Sequence, residues 1–243
     1  MLSPDQIIAF HRQGYLGPLV AIDESAMPSL TAAIEEQALG RDGPAVGRRL
    51  TARHMDVAAV RQIASAPAIV AVLRSLLGED VMLWNSYLWL KESGAPAIPW
   101  HQDIAYWPIE PWLTISVWVA LETVDLGNAC PRVIPGSHRR LCPHVTSHGT
   151  MFAQEADPRT VDESAAVAMV LPAGSCFVFN ERILHSSPPN PGPRRRLGMS
   201  LRYATPFTWI DHDQAPLFPG HRAMLVAGAD RAGINRWLDP APV

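Results

Sequence analysis

Arg196-Leu197-Gly198-Met199-Ser200-Leu201-Arg202-Tyr203 alternates strictly, with Arg, Gly, Ser and Arg at one parity and Leu, Met, Leu and Tyr at the other. Side chains two apart in a strand share a face. The segment therefore reads as a β-strand whose apolar face packs against helices and whose polar face lines a pocket.

Upstream, short runs punctuated by Gly and Pro give the same reading at 82–90, 113–122, 132–134, 166–171 and 175–179. The first 80 residues instead read as mostly helical. Ser3 can cap a helix that has Pro4 in its first turn and Gln6 at the third position after the cap, and Gly14 stops it. Residues 25–39 and 57–77 also carry helical spacing, the latter through Val60, Ile63, Ile69, Val72 and Leu76 before Gly78. Residues 139–164 are polar and irregular, and a loop that long reads as a lid or binding loop. After Pro206 no clear period remains. The expected organisation is one domain over 1–243: a helical part at 1–80, a β core at about 81–205 and a C-terminal segment at 206–243.

A chain of 243 residues with 48% hydrophobic content can bury a sizeable core, within the length range where barrels run as one domain. Its net charge of -3 and its short basic runs, Arg139-Arg140 and Arg194-Arg195-Arg196, weigh against a nucleic-acid or membrane-surface partner and leave a small molecule as the expected one. Cys130, Cys142 and Cys176 are odd in number and form no CxxC pair, which speaks against a disulfide framework and a tetrahedral zinc site. A reducing compartment fits. The start, Ser3-Pro4-Asp5-Gln6, is not a basic segment followed by an apolar one, and no run of about 18 apolar residues occurs. The expected location is the cytoplasm.

Trp100-His101-Gln102-Asp103, with His185 far downstream, supplies two imidazoles and a carboxylate, the ligand set of the facial triad that holds non-haem Fe(II) with open positions. His-x-Asp alone is weak among nine histidines, and His54-Met55-Asp56 repeats the spacing. That second pair leads into a helical run, where residues two apart diverge. His101 and Asp103 instead follow the extended segment Ala97-Ile98-Pro99-Trp100, where they share a face. A hydrogen-bonded His–Asp pair at a loop end remains the alternative for 101 and 103, and a satisfied core or turn histidine the alternative for His185. Arg196 offers a planar fork suited to the far carboxylate of an iron-chelating diacid, with Ser187 nearby. Arg194 or Arg195 could take its place.

The chain resembles the phytanoyl-CoA dioxygenase family of Fe(II)/2-oxoglutarate-dependent oxygenases. The resemblance runs through Gly14-Tyr15, Trp100 to Pro108, Val117-Trp118-Val119-Ala120-Leu121, Asn128 to His138, and His185 to Arg196, and does not cover the last 37 or so residues. It implies a mainly β fold with flanking helices, a double-stranded β-helix or cupin-like jelly roll with iron at one open end. It implies His101, Asp103 and His185 as metal ligands and catalytic centre, and Arg196 with Ser187 as the grip on the 2-oxoglutarate C5 carboxylate. Gln102, Trp118 and Lys91 match positions near the co-substrate, the alternatives being a glutamine that faces away, a core tryptophan on a buried strand and a solvated strand-end lysine. The cofactors implied are Fe(II), 2-oxoglutarate and O2, with succinate and CO2 as co-products. Ala129 stands where the family commonly has Gly after Asn, and Pro135-Gly136-Ser137-His138 reads as a turn.

Hydroxylation of an unactivated C–H bond in a small molecule, such as a secondary metabolite, an amino acid or another acid, is the expected reaction. Halogenases of this general class replace the carboxylate ligand with a small residue, so Asp103 implies no halogenation. Tyr106, Trp107, Trp84, Phe207, Trp209 and Arg202 are candidate substrate contacts by proximity or strand face, with core packing the alternative for the aromatics. Arg202 on the polar face hints at an anionic substrate. The rival readings are a jelly-roll metalloenzyme using Zn or Mn for hydrolysis or isomerisation, and a non-catalytic small-molecule binding module. Arg196 and Ser187 discriminate against the first, because hydrolysis needs no diacid clamp.

Overall fold

Two antiparallel sheets face one another in the structure, a computed structural model that describes residues 1–40, 50–148, 150, 152–214, 217 and 219–238, with backbone alone at 105 and 106. The larger sheet runs β1 (Tyr15–Val20), β10 (Ser175–Asn180), β5 (Thr114–Ala120), β12 (Arg196–Ala204), β2 (Val81–Lys91) and β14 (Met224–Ala227) in spatial order. The smaller runs β3 (Ile98–His101), β11 (His185–Ser187), β6 (Arg132–Val133) and β9 (Val167–Ala168). Two short ribbons complete the strands: β4 (Ile109–Glu110) with β13 (Trp209–Ile210), and β7 (His144–Thr146) with β8 (Gln154–Ala156). From β2 to β12 the chain passes repeatedly between the two main sheets, as a double-stranded β-helix requires.

The alternation in β12 divides as its sequence predicts. Leu197, Met199, Leu201 and Tyr203 are fully buried and share one core with Val117, Val119, Leu83 and Val178. Opposite them pack Leu30 and Ile34 of α2 (Met27–Ile34), Val60 and Ile63 of α3 (Ala58–Ala64), and Ile69 and Leu73 of α4 (Pro67–Leu77). Each such side chain contributes about 1.5–3 kcal/mol on burial. The Tyr203 hydroxyl, deep in this layer, donates to the Ala64 carbonyl at 2.9 Å and so ties the sheet to the end of α3. A second core between the sheets, with Trp118, Val133, Met169, Leu171, Phe177, Phe179 and Ile183, closes one side of the jelly roll.

The N-terminal helix α1 (Pro4–Gln13) forms as its signals predict, with a reciprocal Ser3–Gln6 capping box and Gly14 in the left-handed region at φ 82°. Three expectations are corrected. Residues 15–20 form β1, an edge strand paired to β10, rather than part of a helical region. The helical run 57–77 is two helices broken at Ser65-Ala66, because Pro67 starts a new helix and disfavours helical geometry in the residue before it. The segment after Pro206 contributes β13 and the edge strand β14, which pairs with β2. No single described helix is long and apolar enough to cross a membrane.

Candidate functional site

His101 ends β3 and His185 opens β11, and the two are direct register partners. Each Nδ1 is hydrogen-bonded to the carbonyl two residues earlier, His101 to Pro99 at 2.8 Å and His185 to Ile183 at 3.0 Å. A ring that donates through Nδ1 keeps its Nε2 lone pair for a metal. Asp103 does not continue the strand, as the extended reading supposed. It starts a 3-10 turn, Asp103–Tyr106, which folds its carboxylate back toward both rings. Oδ1 lies 3.5 Å from His101 Nε2 and 3.8 Å from His185 Nε2. Among the described residues this is the cluster of His, Cys, Asp or Glu donors able to share one ion.

The electrostatics match a cation site. Burial alone would raise the Asp103 carboxyl, but the Arg202 guanidinium, with His185 and His101, holds it well below the usual carboxylate range. His185 is pushed down to about 4 by burial and by the neighbouring His101. The neutral imidazole of His185 and the ionised carboxylate of Asp103 are forms a metal requires.

Asp103, His101 and His185 open into a cleft that is also lined by Trp89, Trp118, Phe177, Phe179, Ser187, Arg196, Ser200 and Arg202. Arg196 is 2% exposed; its Nη1 donates to the Ala129 carbonyl at 2.6 Å, its guanidinium lies 5.6 Å from the Trp118 ring, and its Nε has no partner. Burial pushes it down to about 10, still fully charged at neutral pH. Its two neighbours are committed elsewhere, Arg194 to Asp125, and Arg195 to Glu35 and Glu122. Of the arginine run, only Arg196 lines the cleft.

Lys91 does not line the cleft but stands behind it. Its Nζ donates to Ser187 Oγ at 2.9 Å and to the Pro188 carbonyl, leaving the Ser187 hydroxyl proton free to point into the cleft. Gln102 faces away altogether. Its amide nitrogen donates to the Arg140 and Arg182 carbonyls and its oxygen accepts from Cys142 N at 2.8 Å, so the side chain anchors the start of the 139–164 loop rather than a co-substrate. Trp84 is fully buried in a separate cluster with Met82, Ile109, Ala204 and Ile210, edge-on to Trp107 at 4.9 Å. It is a core residue, not a pocket wall. Trp107 reaches the cleft only as the plane beneath Arg202, whose guanidinium carbon sits 4.9 Å from its ring. Phe207 and Trp209 are surface-exposed and do not line the cleft. The Tyr106 side chain lies outside the described residues.

Several lining or supporting residues escaped the sequence reading. Trp89, two places from Lys91 on the same face of β2, donates to Ser200 Oγ at 2.7 Å. Its parity with Lys91 was the available signal. Phe152, from the tip of the β7–β8 ribbon, packs edge-on to His101 at 4.7 Å, so part of the 139–164 loop covers the site. Gly198 has the Trp118 indole against it, and a Cβ there would fall 2.2 Å from Trp118 Cζ2. The discarded pair diverges: His54 is fully buried against Ser86 and the Arg222 carbonyl, while Asp56 turns outward to Arg53.

Fold and site together define a double-stranded β-helix protein in which two histidines and one carboxylate converge where a metal ion could be held. The chain belongs to the phytanoyl-CoA dioxygenase (PhyH) family, whose sequence model matches residues 10–198. It is 29% identical over 170 residues to a probable alpha-ketoglutarate-dependent hypophosphite dioxygenase of Stutzerimonas stutzeri, covering 67% of this chain and 58% of that one. It is 26% identical over 197 residues to the peroxisomal phytanoyl-CoA dioxygenase of Rattus norvegicus, covering 73% and 56%. The matches thus span a little over half the length of these relatives. Among solved structures it is similar to the apo form of ThoJ, a non-heme monooxygenase, with a TM-score of 0.80 and 26% identity over 96% of this chain and 86% of that one.

Proposed function

We propose that this chain is an Fe(II)- and 2-oxoglutarate-dependent dioxygenase that hydroxylates an unactivated C–H bond of a small molecule. The observation that carries this is the pairing, in one cleft, of three converging donor atoms with a separate buried arginine that keeps an unpartnered N–H. The dioxygenase names of its relatives support the same reading. So does the donor chemistry: two imidazoles and one carboxylate fit Fe(II) and leave positions open.

Bound Fe(II), with 2-oxoglutarate and O2, supplies the oxidising power, releasing succinate and CO2 as the substrate is oxidised. His101 and His185 hold the metal through Nε2, kept in that tautomer by the Pro99 and Ile183 carbonyls. Asp103 completes the set, and its retention favours hydroxylation over halogenation. Arg196 and Ser187 grip the distal carboxylate of the diacid, Arg196 oriented by the Ala129 carbonyl and the Trp118 face, Ser187 by Lys91. Phe152 and Phe179 press against His101 and His185 and exclude water from them.

Anaerobic addition of Fe(II) and 2-oxoglutarate tests the proposal. The expected result is a weak visible charge-transfer band in the wild type that disappears when Asp103→Ala and His185→Ala are combined. Absence of the band in the wild type, or its persistence in the double variant, overturns the assignment.

A further inference from the structure

Arg202 is 7% exposed, and among the described residues its guanidinium is held by an ion pair with Asp103 rather than by a hydrogen bond. Its Nε is sealed from solvent without a partner, and its nearest carboxylate, Asp103 Oδ2, is 3.7 Å away, beyond hydrogen-bonding range. Buried guanidinium groups are ordinarily paired and bonded, because stranding their N–H groups costs desolvation energy that nothing repays. The Trp107 ring backs the group on one face and fixes its plane. Ser116, the register partner of Arg202 on β5, carries a buried hydroxyl that also has no partner. Asp103 is the one carboxylate among the cleft's described lining residues, against two guanidinium groups.

We propose that Arg202 is the anchor for an oxoanion of the primary substrate, a carboxylate or a phosphonate, received bidentately beside Asp103. The assignment of that oxoanion to a substrate rests on the oxygenase reading above. Arg196 and Arg202 are six residues apart on one strand, roughly 20 Å of backbone at about 3.3 Å per residue. Both side chains line the one cleft, Arg196 against the Ala129 carbonyl and the Trp118 ring and Arg202 beside Asp103. With Arg196 given to the co-substrate, the unbonded fork of Arg202 is left for a second anion, and guanidinium geometry favours a planar or tetrahedral oxoanion over a neutral amide.

The test uses full-length, metal-free protein at constant ionic strength, with intrinsic tryptophan fluorescence as readout, since Trp89, Trp107 and Trp118 lie in or against the cleft. Arg196→Gln removes the co-substrate clamp, so anion binding that remains is not owed to it. In that background propanoate and methylphosphonate are expected to bind saturably and roughly tenfold or more tighter than propanamide. Adding Arg202→Gln should abolish the preference, and Arg202→Lys, which keeps the charge without the fork and serves where the Gln variant does not fold, should weaken it. Equal binding of propanoate and propanamide, or a preference that survives loss of Arg202, overturns the proposal and leaves Arg202 as a counter-charge to Asp103. The charge-transfer band of the wild type is read separately. A band without anion preference sinks the Arg202 assignment alone, whereas anion preference without a band upholds the anion site and sinks the oxygenase reading.

Discussion

His101 and His185 face each other across the β3–β11 pair with ring centroids 4.1 Å apart, and each is locked by the backbone carbonyl two residues before it. The rings are therefore set before any metal arrives. Removing a ligand should cost more than the roughly 10–100-fold that loss of an outer hydrogen-bonding partner costs in metal affinity. His185→Ala is expected to weaken Fe(II) binding beyond that range in a chelator competition assay. Affinity unchanged from the wild type would remove His185 from the ligand set.

Much of this arrangement was legible because it depends on local rules. The alternation of β12 and the Ser3–Gln6 cap each need only a few neighbouring residues, and both appear in the structure. The convergence of His101 with His185 needed a resemblance, since 84 positions separate them and no periodicity links them. What stayed hidden depends on long-range partners. Gln102 sits between two metal-ligand candidates yet serves the backbone of residues 140, 142 and 182. Trp84 and Trp89 share one strand but lie in different clusters, five residues apart on β2 with a register shift that leaves Trp84 out of the pairing with β12. Ala129 takes the left-handed conformation at φ 63° where glycine would be easier, and the sequence marked that position only as a departure from the family.

Lys91 gives Ser187, on the cleft wall, a titratable support. Burial, with repulsion from Arg196 and Arg132, pushes it down to about 7, so its proton is lost as pH rises through neutrality. A charged donor to Ser187 is worth about 1.5–3 kcal/mol, or roughly 10–150-fold. Lys91→Met is expected to raise the dissociation constant for 2-oxoglutarate by about tenfold. The wild type should bind 2-oxoglutarate more tightly at pH 6 than at pH 8, and the variant should lose that difference. Titrations at both pH values check this, and an equal pH response in the two proteins would exclude Lys91 as its source.

Gly198 is required by contact rather than by backbone angle. An added Cβ would meet the Trp118 indole at 2.2 Å, and the indole in turn flanks Arg196. Gly198→Ala should therefore displace Trp118, costing about 1–3 kcal/mol of stability as overpacking does, and should also raise the KM for 2-oxoglutarate. Restoring space with Trp118→Phe in the same chain should recover part of the stability. If the alanine variant binds co-substrate normally and loses no stability, Trp118 does not hold the position that orients Arg196.

The buried histidines set the acid limit of the metal-free protein. Burial, the dominant cause for each, pushes His54 and His185 down to about 4 and His221 to about 3, from an unfolded value near 6.5. Between those values each ring binds fewer protons folded than unfolded, so stability is highest above pH 6.5 and falls as pH drops toward 4. His54 lies farthest in sequence from the His101, Asp103 and His185 cluster and is wholly buried, which makes it the clean test. At pH 5 its share of the loss is about 2 kcal/mol, from 1.36 kcal/mol per pH unit over about 1.5 units. Denaturant unfolding at pH 7.5 and pH 5 should show His54→Gln less stable than the wild type at the higher pH, because the glutamine must satisfy Ser86 and the Arg222 carbonyl. Its loss on acidification should be smaller by about that 2 kcal/mol. An equal loss in both proteins would mean that His54 is protonated in the folded state at pH 5, and that its burial does not contribute to acid sensitivity.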